Sequence, residues 1–467
     1  MYTKLAEPVP AHEGAPHINA PPVYGASPGK PFLYRVPVTG ERPMKFTADL
    51  PEGLAVNGAG VISGVVSAPG EYAVRIRVKN RAGEDEKTLK LMIAPGALLR
   101  TPLMGWTSWN AFRDKFDQSV IEDTAKALID TGLAEYGYDY VNIDSDWQGE
   151  YGGKYDAIQP DGKFTDMKAM TDRIHSLGLK CGIYSTPMKL AFGICQTLPG
   201  CTRGEVDHRY PAYREIGRER MERNNVDQWV EWGFDYLKYD WYPNDIENAA
   251  PMAECIKKAP RDIVYCVTAS AVYEDREWYK NNTNMFRIGG DSEDRWKIVK
   301  TINFDTDKWL GEGKIGGWAD LDMLEIGYFA GHECALTPDE QVVSYTAKVI
   351  FPSPIQISFD LRRMTGNELR ICCNEEVNAV NQDELGAQAS LLYERKDGEI
   401  WIKAYEKKLA DGSRAVAVFN LGETEEEYAL QAPEGTVRDL WAKENLPCDG
   451  TLRFTMMPHT ARLFKLL

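Results

Sequence analysis

Trp232-Gly-Phe-Asp-Tyr-Leu-Lys-Tyr-Asp-Trp-Tyr242 is the stretch from which the fold can be read. Gly233 is a natural stop for a preceding helix. Phe234, Tyr236, Leu237 and Tyr239 follow it, an aromatic and apolar run that predicts a short buried strand. Strand alternation places Lys238 and Asp240 on one face at the end of that strand. In a parallel β/α barrel, the carboxyl ends of the strands form the active face. A lysine and a carboxylate aimed the same way there read as a site. The alternative is a solvated strand end with an incidental ion pair.

The same rhythm extends in both directions. Gly137 to Asp144, Leu179 to Ser185, Asp262 to Val267 and Met285 to Gly289 are further strand patterns. Met167 to Leu177 has a helical period, and Tyr213 to Trp232 reads as a charged amphipathic helix. Strand-then-helix units from Thr101 to about Asp383 predict a (β/α)₈ TIM barrel. Asp144, Tyr184, Asp240 and Arg287 then ring its mouth. An open doubly wound sheet would need a nucleotide fingerprint, and the sequence carries none.

The flanks are different. Residues 1 to about 30 are an irregular lead-in rich in Pro, Ala and Gly. Short β-branched runs separated by Pro, Gly and Asn follow, such as Val61 to Val66 and Tyr72 to Val78. They predict a small β-sandwich. After about Leu385, runs such as Ile400 to Tyr405 and Arg414 to Phe419 predict a C-terminal antiparallel sandwich. The expected organisation is therefore lead-in and sandwich over 1–97, barrel over 98–385 and second sandwich over 386–467. Neither flank carries a chemical motif.

Composition narrows the function. The chain has 467 residues and a formal net charge of −16, which disfavours nucleic acid and anionic membrane as partners. Aromatic residues make up 11%, including twelve tryptophans, enough for stacking platforms as well as cores. No run is long and apolar enough to predict a membrane span, and no signal peptide is visible. The expectation is a cytoplasmic protein or, with a leader already removed, a secreted or periplasmic one. Nine scattered cysteines favour reduced thiols, with a local Cys195–Cys201 bridge as the alternative. No metal-ligand spacing or phosphate loop is present, so no cofactor is expected. The oligomeric state is not legible.

Several segments, in order, resemble the melibiase family of retaining α-galactosidases and α-N-acetylgalactosaminidases. They are Thr101 to Asn110, Tyr140 to Gln148, Gly178 to Tyr184, Leu237-Lys-Tyr-Asp240, Arg287 to Trp296, Trp318 to Leu324 and Val377 to Gly386. The run Gly58 to Gly64 also resembles immunoglobulin-like domains appended to bacterial enzymes. The resemblance implies an exo-acting glycoside hydrolase for a terminal α-linked galactose-like sugar. It implies Asp240 as nucleophile and Asp291 as general acid/base. A retaining pair should stand about 5–5.5 Å apart. Asp240 must stay ionised, with Lys238 helping. Asp291 must hold a proton, with Glu293 and Asp294 raising its affinity and Arg287 opposing them. Without the resemblance, Asp291 reads as a helix N-cap. The resemblance further implies Trp106 as an aromatic wall, Asp144 as a hydroxyl acceptor and Met323 as the floor. It makes Tyr184, Lys238 and Arg287 orienting groups.

The departures concern the sugar. Where the family commonly carries two consecutive aspartates, this chain has Asp144-Ser145. Serine can hydrogen-bond, but without charge and with shorter reach. Thr268 falls at the glutamate of a eukaryotic Cys-Glu-Trp motif, leaving room for a 2-acetamido group. Galactose specificity thus stays open. α-N-Acetylgalactosaminide, β-L-arabinopyranoside, an α-glucan end and a binding protein without turnover are the alternatives. The charged segment between Pro187 and Trp229 is longer than usual, and reads as a lid, an aglycone site or a surface insertion. Trp241-Tyr242 replaces the family's cysteine after the nucleophile, which suits a reducing compartment.

Overall fold

The computed structural model describes residues 1–193, 197–210 and 215–466. Eight parallel strands form the central sheet: Met104–Thr107 (β1), Tyr140–Asn142 (β2), Lys180–Ser185 (β3) and Tyr236–Asp240 (β4) in its first half. Val264–Thr268 (β5), Met285–Arg287 (β6), Trp318–Asp320 (β7) and Ile355–Ile357 (β8) complete it. Their spatial order is β7-β6-β5-β4-β3-β2-β1-β8. Just beyond β7, Leu324 N–H donates to Gln356 O of β8 at 2.8 Å, which closes the ring into a (β/α)₈ barrel.

Helices follow the strands in turn: Gln118–Asp130 (α1), Met167–Ser176 (α2), Glu222–Trp232 (α3), Ile246–Lys257 (α4), Arg276–Asn282 (α5), Trp296–Phe304 (α6) and Pro338–Ile350 (α7). Local sequence sets their ends. Asp117 caps α1 through Val120 N, and Thr337 and Glu340 form a capping box on α7. Gly233 ends α3 at φ 98°, a left-handed conformation that favours glycine. The chain then enters β4 with Tyr236, Leu237 and Tyr239 buried at 1% exposure or less. Tyr236 points into the barrel beside Tyr140 and Cys266, whereas Leu237 and Tyr239 face the helices, where Tyr239 donates to Glu222 of α3 at 3.4 Å.

The N-terminal module is a two-sheet β-sandwich. One sheet orders Val23–Ala26, Glu84–Ile93, Gly70–Lys79 and Lys45–Ala48; the other orders Pro31–Arg35, Val61–Val65 and Leu54–Val56. Glu135 of the barrel, 1% exposed, fixes it in place. Its carboxylate accepts from Arg35 at 2.7 Å and Val38 N at 3.2 Å, and pairs with Arg42 at 2.7 Å. A buried carboxylate satisfied this fully ties the module to the barrel bottom. The lead-in packs on the body: Thr3 N donates to Asp339 at 2.7 Å and Tyr136 donates to Val9 O at 2.6 Å.

The C-terminal module has a six-stranded antiparallel sheet faced by the pair Glu426–Gln431 and Thr451–Met456. It docks on α6 and α7 through Phe304–Phe419 and Tyr345–Trp441 ring contacts at 4.8 and 5.8 Å. Among the described residues no helix is long and apolar enough to cross a membrane.

Two expectations are corrected. The chain is not irregular up to about residue 30, because Val23–Ala26 is a strand paired with Glu84–Ile93. The helix expected from Tyr213 to Trp232 starts only at Glu222. Gly217–Arg220 is instead a strand paired with Thr202–Val206. The charged spacing there suits either structure, and the cross-strand partner decides. A Cβ on Gly217 would meet Arg203 O at 2.3 Å, so only glycine permits this hairpin. Tyr213 and Cys195 lie outside the described residues. The other cysteines are free thiols, with buried Cys201 Sγ 3.1 Å from Ser185 Oγ.

Candidate active site

A cavity of about 580 Å³ opens at the carboxyl ends of the strands. Its polar wall is built by residues at or just beyond those ends: Asp144 after β2, Tyr184 in β3, Lys238 and Asp240 in β4, and Arg287 in β6. Asp291, Ser145 and Met323 complete it. A second cavity, about 440 Å³, touches the amino ends of β1 and β2 beside the N-terminal module. In barrel enzymes residues at that end serve stability rather than chemistry.

Asp240 is the hub. Tyr184 Oη donates to its Oδ2 at 3.2 Å. Burial pushes the Asp240 carboxyl up to about 6, against the pull of Lys238 and Arg287 and with the added repulsion of Asp144 and Asp291. Lys238 does not bond Asp240 directly. Its Nζ donates to Asp144 Oδ2 at 2.7 Å and lies 5.6 Å from the Tyr184 ring centroid. Burial alone would depress the Lys238 ammonium, but Asp144, Asp240 and Asp322 outweigh it and hold the cation charged. Asp144, with a side chain 3% exposed, also accepts from Ser145 N at 2.8 Å.

Arg287 spans the other side. Its guanidinium donates to Asp291 Oδ1 and, at 3.2 Å, to Asp322 Oδ1. The Arg287 side chain is 4% exposed, whereas that of Asp291 is 81% exposed. Burial opposes the Arg287 charge, but Asp322, Asp291 and Asp240 keep it protonated. For Asp322, burial pushes upward and is overcome by Arg287 and Lys238, so its carboxyl is held low. Lys238 and Arg287 thus serve the carboxylates of Asp144, Asp240, Asp291 and Asp322, and Asp240 absorbs the imbalance.

The structure brings Asp144, Ser145, Tyr184, Lys238, Asp240, Arg287, Asp291 and Met323 to one cavity. It places Trp106 and Thr268 behind the wall. Trp106 is 0% exposed and donates Nε1–H to Phe359 O at 2.8 Å; Trp109, three residues on, lines the cavity instead. The Thr268 hydroxyl is buried without a hydrogen-bond partner, and its carbonyl holds the turn after β4 through Trp241 N and Asn244 Nδ2. Ala269 and Ser270 face the cavity in its place. Asp291 is no helix cap, because α6 begins at Trp296 behind an Arg295 N-cap. Glu293 lines the cavity but is paired with Arg295, and Asp294 accepts from Ala335 N at 2.8 Å.

Sequence reasoning missed Asp322, Asn110, Phe192 and Tyr242. Asp322 adopts φ 66°, which turns its carboxylate under the loop that carries Asp291. Its place beside Met323 in the Trp318-to-Leu324 segment was the available signal. Phe192 brings its backbone in from the long segment, where its carbonyl accepts from Ser145 Oγ and lies 3.5 Å from Tyr184 Oη. Tyr242, 56% exposed, stands at the rim.

Comparison with known proteins finds relatives of all three modules. The family model described as "Alpha galactosidase A" matches residues 101–383, and the "Alpha galactosidase C-terminal beta sandwich domain" matches 397–466. An Ig-domain model matches 15–94. Alpha-galactosidase 2 of Arabidopsis thaliana is 30% identical over 391 residues, covering 80% of this chain and 91% of that protein. The structure of an alpha-galactosidase/melibiase candidate from Bacteroides fragilis superposes with a TM-score of 0.85 at 28% identity, covering 98% of this chain and 99% of that one. A β-L-arabinopyranosidase from Geobacillus stearothermophilus gives a TM-score of 0.68 at 25% identity, covering 79% of this chain and 96% of that one. The barrel, its two flanking modules and these matches together place the chain in the α-galactosidase (melibiase) family of glycoside hydrolases.

Proposed function

We propose that the protein removes a terminal α-linked galactose from oligosaccharides or glycosides by double displacement, with Asp240 as nucleophile and Asp291 as acid/base. The observation that carries this reading is the pairing of unlike carboxyl groups on one cavity. Asp240 is recessed, aimed by Tyr184 and flanked by two cations, whereas Asp291 stands exposed at the mouth, where a leaving group departs.

In the first step Asp240 attacks the anomeric carbon, and the glycosidic oxygen takes a proton from Asp291 and leaves. Tyr184 holds Oδ2, which leaves Oδ1 as the attacking oxygen. In the second step Asp291 removes a proton from water, which displaces Asp240 and restores the anomeric configuration. Lys238 and Asp144 form a fixed donor–acceptor pair for the sugar hydroxyls beside the nucleophile.

A second reading keeps the mechanism and changes the sugar to a β-L-arabinopyranoside, which is α-galactose without its hydroxymethyl group. It stays open because Ser145 stands where the family commonly carries a second carboxylate and its hydroxyl donates to Phe192 O, so that position offers the sugar no charged acceptor. Hydrolysis of 4-nitrophenyl α-galactoside, α-N-acetylgalactosaminide, β-L-arabinopyranoside and α-glucoside by the wild type and Asp240→Ala tests both readings. Preference for the galactoside, abolished by the substitution, supports the first. Preference for the arabinopyranoside replaces the sugar and keeps the chemistry. Turnover surviving in Asp240→Ala removes the nucleophile assignment.

A further inference from the structure

We propose that Glu325 is a positioning residue for the acid/base, acting through Ser292 on the loop that carries Asp291. This rests on the hydrolytic reading above.

Asp291 has an 81% exposed side chain, and it follows Gly289 and Gly290, the second of which has open space around it. Arg287 donates to its Oδ1, but that ion pair weakens once Asp291 carries the acid's proton, so the carboxyl then keeps its place only if its backbone is held. General acid catalysis needs the proton within hydrogen-bond reach of the leaving oxygen. The holding groups lie on the next residue. Ser292 N donates to Asp322 Oδ2 at 2.7 Å, and Ser292 Oγ donates to Glu325 Oε1 at 2.8 Å. Asp322 already serves Arg287, so its place is set by the arginine. Glu325 has no such partner among the described residues and is 4% exposed.

A carboxyl group in that position is costly. No arginine or lysine among the described residues bonds it, its Oε2 is buried without a hydrogen-bond partner, and burial and Asp322 outweigh the attraction of nearby Lys348. Packing alone would be served better by an apolar side chain. What the carboxyl adds is a bridge. Oε1 also accepts from Asn110 Nδ2, and Asn110 N donates to Ser358 Oγ at 3.0 Å. Asn110 follows β1 and Ser358 follows β8. Glu325 therefore anchors the acid/base loop to the barrel seam formed by the first and last strands. Two glycines and an exposed aspartate gain a fixed reference through one serine hydroxyl.

The test is the dependence of kcat/KM on the leaving group. Glycosides with dinitrophenol leaving groups depart without a proton, whereas methyl and sugar leaving groups require one. Wild type, Glu325→Ala, Glu325→Gln and Ser292→Ala are compared on dinitrophenyl, 4-nitrophenyl and methyl α-galactosides. Glu325→Ala and Ser292→Ala should lose about 10- to 100-fold on the methyl glycoside, a fraction of what a general acid supplies. Their loss on the dinitrophenyl glycoside should be roughly tenfold smaller, and added azide should speed its turnover by replacing base-activated water. Glu325→Gln keeps an acceptor for Ser292 and should recover most of the methyl glycoside activity. Equal loss across the series, or no loss, would overturn the proposal. Failure of the wild type on every galactoside would instead count against the sugar. The same series on the sugar that is turned over then tests Glu325 by the same criteria.

Discussion

Asp240→Asn should stabilise the folded protein at neutral pH while abolishing turnover. The folded carboxyl is raised from its ordinary 3.8 to about 6, with burial as the leading cause. Between those values the native state keeps a proton that the unfolded state releases, so stability falls as pH rises through the window. Above about 6 the full cost is present. A shift of about 2 units corresponds to about 3 kcal/mol. The carboxylate meets solvent in the cavity, and screening reduces this to about 1–2 kcal/mol. An amide resembles the protonated acid, so it should recover that amount at pH 7.5 and almost none at pH 4. Buried Asp320 and Glu325, raised to about 6 and about 7, are common to both proteins and cancel in the difference. Urea unfolding followed by tryptophan fluorescence at the two pH values measures the gap. A variant no more stable than wild type at pH 7.5, or a gap unchanged at pH 4, would refute the reasoning.

Three further outcomes follow from the same geometry. The acid limb of kcat/KM should be centred near pH 6, because Asp240 must ionise to attack; initial rates from pH 4 to 8 check this, and a limb near 4 would mean that the carboxyl is not desolvated. Lys238→Met should cost about 3–5 kcal/mol by leaving Asp144 buried and unpaired, and adding Asp144→Asn should restore part of it; chemical denaturation of both variants shows whether the pair is coupled. Trp106→Phe should lose about 1–2 kcal/mol of stability with KM unchanged, whereas Trp109→Ala should raise KM; the reverse pattern would return Trp106 to the cavity wall.

What could be read from the sequence was what depends on neighbours along the chain. Gly233 stops α3, alternation sends Lys238 and Asp240 to one face, and repeated strand ends deliver Asp144, Tyr184 and Arg287 to the same rim. What could not be read depends on turns and on pairing at a distance. Trp106 and Trp109 lie in one segment, and only the way the chain leaves β1 decides which ring faces the cavity. Asp322 works through a left-handed backbone that its neighbours do not announce. The Arg- and Glu-rich run through Gly217–Arg220 carries helix-compatible spacing, but its partner strand is Thr202–Val206. Lys238 shares a strand face with Asp240, yet its hydrogen bond crosses to Asp144 on another strand end.

The central claim is double displacement through Asp240. It is tested most directly by identifying the anomer released first, using proton NMR on a fresh reaction before mutarotation. The account predicts a first-formed sugar with the same anomeric configuration as the substrate. Release of the opposite anomer would mean that water, not Asp240, attacks the sugar, and would contradict the assignment of both carboxylates.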